Sequence, residues 1–185
     1  MLFNRTIFTL TLSMIGIMQV SLSIAQEKIN WISIEEAQNL SKNYPRKFMV
    51  DVYTDWCGWC KKMEKGTFKE PHIVKYINEN YYAIKFNAET KEQVEFNGKT
   101  YKFVKSGNTG YNELALAFSK GKLSYPTIVF LDEDYKVIQP IQGYLTAQKF
   151  EKIITFFGRN HHKTTPWVTY ERNYVPMQAT FVKND

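Results

Sequence analysis

The sequence of 185 residues is poor in side chains that bind metals, with two cysteines and three histidines. Cys57 and Cys60 form a single C-x-x-C pair, whereas a zinc site normally has four ligands, of which such a pair supplies two. The histidines are His72 and the adjacent His161 and His162, a spacing that matches neither a second C-x-x-C pair nor H-x-x-x-H. The sequence therefore predicts no metal site, and zinc binding is the weaker interpretation of the cysteines.

The chain also lacks internal repeats, low-complexity stretches and dense runs of one charge. Lys and Arg (24) outnumber Asp and Glu (18), but the resulting formal charge of +6 is scattered. The densest basic run, Lys61 and Lys62 with Lys65, is interrupted by Glu64, which favours a solvated helix face. We therefore predict no nucleic-acid partner. With 44% hydrophobic residues, the chain can bury one sizeable core.

Charge is nearly absent from the N-terminal segment, where Arg5 is the only charged side chain before Glu27. An apolar run follows at 7–18, and Ala25 ends a stretch of small residues that would permit cleavage before Gln26. This pattern is typical of a secretory signal peptide, so we expect a periplasmic or secreted protein. A permanent membrane anchor is the weaker alternative, because the run is short and contains Thr and Ser. No cysteine follows the small residues, so a lipid anchor is unsupported.

Outside the cytoplasm the two cysteines can form a persistent disulfide. A purely structural bridge is disfavoured, because so small a loop restricts the unfolded chain little. Lys47–Thr54 is apolar and β-branched enough for a buried strand, and the stretch from Cys60 to Gly66 is typical of a helix. Cys57 would lie at the helix N-terminus, where the dipole stabilises a partly exposed thiolate, and Cys60 would be shielded. This arrangement predicts a redox pair in which Cys57 attacks and Cys60 resolves.

The neighbouring residues resemble the thioredoxin superfamily. The W-C-G-W-C motif follows a strand with an acid six residues before its first cysteine. The features that match in order are the acid Asp51, Lys85, the Tyr125-Pro126 pair and Gly143. The match covers roughly residues 34–157. It implies an α/β, thioredoxin-like fold with a central mixed β-sheet flanked by helices.

The resemblance also implies roles for individual residues. Asp51 would take the proton from Cys60, and Lys85 would neighbour this acid. Asp51 lies in a run that looks buried on both faces, and burial raises the pKa of a carboxyl group towards the range of a proton acceptor near pH 7. The alternatives are an exposed Asp51 and an ordinary edge position for Lys85. The residues expected to bind substrate are Trp56, Gly58, Trp59, Tyr125 and a cis-Pro126, although Trp56 could equally be structural, wedged under the loop.

Thiol–disulfide exchange on protein substrates, without a cofactor, is the activity that the resemblance implies. The Gly58-Trp59 dipeptide lacks the histidine with which oxidases and isomerases of the superfamily stabilise the thiolate, and this absence favours a reductase. Lys61 and Lys62 could partly compensate. Because the chain has no second cysteine pair, its electrons would come, by analogy, from a membrane thiol carrier. The alternatives are a disulfide oxidase or isomerase and a non-catalytic thioredoxin-fold binding module.

The predicted domain organisation has three parts. They are a signal peptide at 1–25, a thioredoxin-like domain at 26–158 and a C-terminal extension at 159–185.

Two additions to a minimal thioredoxin are expected. A hairpin-plus-helix insert at about 88–124 precedes the cis-proline loop. In this insert Val94–Val104 alternates around Asn97-Gly98, a strong hairpin signal, and a helix is predicted at Asn112–Lys120. A short helix is predicted after Pro166 in the extension, with Trp167, Tyr170 and Tyr174. Structural padding is the default interpretation of both additions, and a partner surface is the sharper hypothesis.

The remaining predicted elements alternate between helices and strands. Ser33 opens a helix through Asn43, with Ala37 and Leu40 facing inward. The other elements are a helix starting near Pro71, strands at 81–87, 127–131 and about 136–141, and a final helix that Thr146 caps.

Overall fold

The structure, a computed structural model, describes residues 27–177. The signal peptide predicted at 1–25 lies outside this range. Between residues 27 and 177, no helix is both long enough and apolar enough to cross a membrane.

Nine strands and six α-helices make up the described part of the chain. The strands are β1 (Trp31–Ile32), β2 (Lys47–Tyr53), β3 (Tyr81–Asn87), β4 (Val94–Phe96), β5 (Lys99–Tyr101), β6 (Phe103–Ser106), β7 (Thr109–Asn112), β8 (Thr127–Leu131) and β9 (Val137–Gln142). The helices are α1 (Ile34–Ser41), α2 (Gly58–Lys65), α3 (Pro71–Asn80), α4 (Glu113–Phe118), α5 (Ala147–Gly158) and α6 (Trp167–Arg172). Short 3-10 helices lie at Thr67–Lys69 and His161–Lys163.

Five strands form the central sheet in the order β1-β3-β2-β8-β9. β1, β3 and β2 run parallel, whereas β8 pairs antiparallel with both β2 and β9. The sheet is therefore mixed, as predicted, and its central strand β2 leads directly into the cysteine motif.

The alternating side chains of β2 enter two separate cores. Phe48, Val50 and Val52 pack on one face of the sheet with α1 and α4. Met49 packs on the opposite face with Met63 of α2 and with residues of α3 and α5. Because side chains of a strand alternate between faces, Asp51 points to the same face as Met49. The acid therefore faces the side of the sheet that carries the cysteine helix.

The predicted elements agree with the structure apart from several details. Leu40 was expected to face inward but is exposed, because α1 buries Ile34, Ala37 and Ser41 instead. The predicted extent of α1 to Asn43 was wrong, since the helix ends at Ser41. α2 begins earlier than predicted, at Gly58. Tyr174 lies beyond the end of α6, which stops at Arg172.

The segment between β3 and β8 contains more structure than predicted. The hairpin around Asn97-Gly98 is confirmed as β4–β5, and both turn residues have the positive φ that such a turn requires. The sequence did not predict the second hairpin, β6–β7, which turns at Gly107-Asn108. The predicted helix is confirmed as α4, and Asn112 caps it by accepting from the N–H of Leu114.

Candidate functional site

The site is built around a disulfide between Cys57 and Cys60. β2 ends at Tyr53, and a turn in which the N–H of Cys57 donates to the carbonyl of Thr54 brings the chain into α2. Cys57 is the N-cap of α2, and its Sγ accepts a hydrogen bond of 3.0 Å from the N–H of Cys60. A thiolate at this position would receive the same N–H and the positive end of the helix dipole.

The burial of the cysteines differs from the prediction of a partly exposed Cys57 and a shielded Cys60. Cys57 is 4% exposed and Cys60 is 7% exposed. The bond between the two sulfurs places them at similar depth, so Cys57 shares the burial of its partner in this oxidised form. Exposure therefore does not distinguish the attacking sulfur from the resolving one.

Asp51 is a buried acid on the sheet face that carries α2. Its Oδ1 has no hydrogen-bond partner among residues 27–177. Burial raises the pKa of Asp51 from 3.8 to about 7; the charge of Lys85 acts in the opposite direction and that of Glu64 in the same direction. Asp51 can therefore gain or lose a proton near neutral pH.

Lys85 lies next to Asp51 in the sheet, because the two residues are partners in the β2–β3 register. Its Nζ lies 2.5 Å from Glu64 Oε1 and 5.1 Å from the ring centre of Tyr53. The ammonium of Lys85 thus pairs with a carboxylate of α2 while it also lowers the pKa of Asp51. Together Asp51, Lys85 and Glu64 form a small charged group beside the cysteine helix.

Trp56 stands beside the disulfide and is 66% exposed, so it is not wedged under the loop. Its Nε1 donates to both carboxylate oxygens of Glu89, at 3.0 and 3.1 Å. The ring meets that of Tyr125 edge-on, with 5.8 Å between centroids. These contacts hold an exposed indole in one orientation.

Trp59 forms a second exposed aromatic surface on α2. Its ring lies 5.3 Å from that of Tyr144, and Lys62 Nζ lies 4.8 Å and 5.1 Å from the two ring centres. The charge of Lys62 is therefore engaged by two aromatic faces. Gly58, between Cys57 and Trp59, is exposed and leaves the space above it open.

Pro126 is buried directly before β8, and the Tyr125-Pro126 bond is cis, as predicted. The carbonyl of Pro126 accepts from the N–H of Gly143, 2.8 Å away. Gly143 has a φ of +90°, a conformation that favours glycine. This turn positions the following Tyr144 against Trp59.

Several of these contact residues were not predicted from the sequence. Glu89 is 33 residues from Trp56 along the chain, and Tyr144 reaches Trp59 only because β9 returns beside β8. Neither residue belongs to a motif with recognisable spacing. Only the tertiary arrangement identifies them.

The histidines do not gather with other metal-binding side chains. Among residues 27–177, no group of three or more His, Cys, Asp and Glu residues is arranged to hold a metal ion. His72 Nε2 lies 3.2 Å from Glu151 Oε2. His161 and His162 are half-buried and pack against aromatic rings, with His161 on Tyr170 and His162 on Phe156 and Phe157.

Comparison with known proteins gives a consistent result. A family model described as a thioredoxin-like domain matches residues 34–158. The thiol:disulfide interchange protein DsbD of Haemophilus ducreyi is 32% identical over 129 residues, covering 69% of this chain and 19% of that protein. The protein of the same name from Actinobacillus pleuropneumoniae is 30% identical over 135 residues, covering 71% of this chain and 20% of that protein. The chain thus spans about a fifth of the length of these relatives.

A solved thioredoxin-fold protein from Helicobacter pylori has a similar backbone. It is 21% identical to this chain, with a TM-score of 0.55, and the alignment covers 68% of this chain and 82% of that one. At this level of identity the similarity concerns the fold.

Proposed function

This chain belongs to the thioredoxin-like family, and we propose that it is a thiol–disulfide oxidoreductase that reduces disulfides of proteins outside the cytoplasm. The observation that carries the proposal is the Cys57–Cys60 disulfide at the N-terminus of α2. A helix N-terminus and a backbone N–H both favour the thiolate that disulfide exchange requires. The relatives named as thiol:disulfide interchange proteins support the same chemistry.

The proposed reaction begins with the reduced protein. The Cys57 thiolate attacks one sulfur of a substrate disulfide and forms a mixed disulfide with it. The S–S bond of the substrate breaks, and its other sulfur leaves as a thiolate that takes a proton from water. Cys60 then loses its proton to Asp51 and attacks Cys57 Sγ, which breaks the mixed disulfide and releases the second substrate sulfur. Two electrons pass to the substrate, and the Cys57–Cys60 disulfide remains.

The environment of Asp51 supports its role as the proton acceptor. A group whose pKa lies near the working pH transfers protons most effectively, and burial raises the pKa of Asp51 to about 7. Lys85 would tune this value, because its positive charge opposes the effect of burial.

The residues between the cysteines favour the reducing direction. Gly58 and Trp59 offer no charge to stabilise the thiolate, and the ammonium of Lys62 lies over the rings of Trp59 and Tyr144. A less stabilised thiolate makes the couple more reducing. We therefore propose a reductase that a membrane thiol carrier recharges with electrons.

The substrate would lie on an exposed platform around the disulfide. Trp56 and Trp59 directly precede Cys57 and Cys60, and the ring of Tyr125, the residue before the cis-Pro126, contacts that of Trp56. Aromatic faces of this kind suit the side chains of an extended polypeptide.

The proposed location and domain limits follow the sequence. A signal peptide at 1–25 would direct the chain to the periplasm or the exterior, with cleavage before Gln26. The thioredoxin-like domain would extend over 26–158 with an insert at 88–124, and residues 159–185 would form an extension.

The reduction potential of the Cys57–Cys60 couple tests the direction. Equilibration against glutathione and dithiothreitol buffers should give a value near or below roughly −230 mV. A value of about −120 to −180 mV would identify an oxidase or isomerase instead. Absence of a reversible couple would contradict the redox function altogether.

Trapping of mixed disulfides tests the roles of the two cysteines. Cys60→Ser should accumulate mixed disulfides with substrate proteins, because the attacking sulfur remains and the resolving one is lost. Cys57→Ser should trap them poorly, which makes it the matched control. Equally negligible trapping by both variants would favour a non-catalytic binding module.

A further inference from the structure

A cleft of about 660 Å³ is lined both by Trp56, the residue directly before Cys57, and by the β6–β7 hairpin. Phe103, Lys105, Thr109 and Gly110 line it from the hairpin. The volume lies within the usual range of ligand-binding clefts. The hairpin belongs to the insert at about 88–124, which the sequence left open to two interpretations, structural padding and a partner surface.

The cleft contains two aromatic rings that can receive a side chain. The indole of Trp56 is held in place by Glu89 and Tyr125. The half-buried ring of Phe103 contacts no other aromatic ring in the described chain and lies over Gly110. A Cβ at Gly110 would stand 2.1 Å from Phe103 Cζ, so the missing side chain leaves room for this ring.

The hairpin is held firmly against the rest of the domain. The N–H of Asn112 donates to the carbonyl of Ala88 at 2.7 Å, next to Glu89. At the same end of the hairpin, the N–H of Glu113 donates to the carbonyl of Lys102, and the N–H of Lys102 donates to Glu113 Oε2, both at 2.9 Å. The base of the hairpin is thus fixed in place, which lowers the entropic cost of binding beside it.

Polar groups of both signs surround the aromatic rings. Asp55 and Glu89 contribute carboxylates, and Lys91 and Lys105 contribute ammonium groups that have no ion-pair partner among residues 27–177. Such a mixture can hydrogen-bond the N–H and C=O groups of an extended chain. It matches a polypeptide better than a ligand of a single charge.

We infer that this cleft is a substrate subsite that receives an aromatic or large aliphatic side chain of the protein being reduced. The inference rests on the proposed function, because the side chain would belong to the segment whose disulfide Cys57 attacks. Trp56 directly precedes Cys57 and lines the cleft, so the platform and the cleft form one continuous surface. The β6–β7 hairpin therefore selects substrates without contacting the reacting sulfurs.

Two families of disulfide peptides test the inference. In the first family, every residue flanking the cysteine is Ala, Ser or Gly. In the second, one of these residues is replaced by Phe, at a position two to six residues before or after the cysteine. Reduction by the wild-type protein should be about five- to tenfold faster, as kcat/KM, for the best Phe position. The gain should appear as a lower KM, because the cleft binds the substrate without contacting the reacting sulfurs.

Two variants assign any preference to the cleft. Phe103→Ala removes one aromatic wall, and Asn108→Trp fills the cleft from an exposed turn position without removing packing. Both should abolish the preference for Phe and leave the rate with the Phe-free peptide unchanged. Tyr44→Ala, which removes an exposed aromatic ring that does not line the cleft, is the matched control and should keep the preference.

The outcomes separate the inference from the proposed function. Equal rates for all peptides, or a preference that survives in both variants, would overturn the subsite while reduction itself stands. Failure to reduce even the Phe-free peptide, together with absence of a reversible couple, would overturn the proposed function and the subsite with it.

Discussion

At the scale of single residues, the site combines one buried acid with a redox disulfide and exposed aromatic rings. Asp51 is inaccessible and lacks a partner for Oδ1, whereas Trp56 and Trp59 are exposed. A buried acceptor without a partner lowers stability because it loses solvation, and an exposed ring forgoes the stabilisation that burial would bring. Their presence beside one disulfide indicates that the site is arranged for chemistry and binding.

Replacement of Asp51 by Asn should change how stability depends on pH. Because the pKa of Asp51 is about 7 in the folded protein and 3.8 ordinarily, the folded state holds a proton that the unfolded state releases between these values. Wild-type stability therefore falls as pH rises through this window, by about 4 kcal/mol in all. The free energy of unfolding of Asp51→Asn should not show this decrease. Urea denaturation of the oxidised proteins at pH 4 and pH 8 would measure it.

The matched control is Asp134→Asn, at an acid that is exposed in the β8–β9 turn. Its effect on the free energy of unfolding should be nearly the same at both pH values. A constant difference between Asp51→Asn and the wild type across the two pH values would show that Asp51 has an ordinary pKa.

At the scale of elements, the second hairpin depends on a contact between one glycine and one aromatic ring. Gly110 on β7 lies beneath Phe103 of β6, and its missing side chain permits the close approach. A glycine inside a strand usually weakens it. Here the loss is offset, because the ring of Phe103 covers the exposed backbone.

Gly110→Ala should loosen the β6–β7 hairpin. The added Cβ would lie 2.1 Å from Phe103 Cζ and 2.6 Å from the carbonyl oxygen of Val104, so both strands must shift, at a cost of about 1–3 kcal/mol. Faster amide hydrogen exchange across Phe103–Asn112 would reveal this change. Gly58→Ala is the control, because its Cβ would meet no atom within 4 Å. Unchanged hydrogen exchange in the hairpin of the Gly110→Ala variant would contradict the prediction.

At the scale of the whole molecule, a buried carboxylate on α5 holds residues 174–177 against the rest of the described chain. Glu151 on α5 accepts hydrogen bonds from the Tyr174 hydroxyl at 2.8 Å and from the N–H of Met177 at 2.5 Å, and its other oxygen faces His72. Tyr170 adds a bond of 2.7 Å to Thr155. The described part of the extension is therefore packed against α5, on the sheet face that also carries α2 and α3.

Glu151→Leu should release this segment without affecting the disulfide. The variant leaves the Tyr174 hydroxyl and the Met177 N–H without their acceptor, at a cost of about 2–4 kcal/mol in the free energy of unfolding. Hydrogen exchange should increase at 167–177, and the Cys57–Cys60 potential should stay at the wild-type value. Glu79→Leu, at an exposed acid, is the control and should change the free energy of unfolding by about 0.5 kcal/mol or less. A shifted reduction potential of the Cys57–Cys60 couple in Glu151→Leu would contradict the prediction and link the extension to the redox site.

Elements with strong local signals were predictable from the sequence. The buried strand Lys47–Tyr53, the helix start at Pro71, the cap at Thr146 and the Asn97-Gly98 turn each depend on neighbouring residues along the chain. Leu40 and the β6–β7 hairpin were not predicted correctly. The burial of Leu40 depends on which face of α1 meets the sheet, and the hairpin is anchored by contacts at Ala88 and Glu113 that no local pattern contains.

For the site, the spacing of Cys57 and Cys60 and their place at a strand–helix junction predicted the chemistry, because two nearby sulfurs can exchange disulfides and a helix N-terminus favours the thiolate. The tertiary structure alone decided what surrounds them. Glu89 meets Trp56, and Tyr144 meets Trp59, across loops that are distant in sequence. Contacts of this kind arise when the sheet brings separate turns to one edge, so residue order along the chain does not encode them locally.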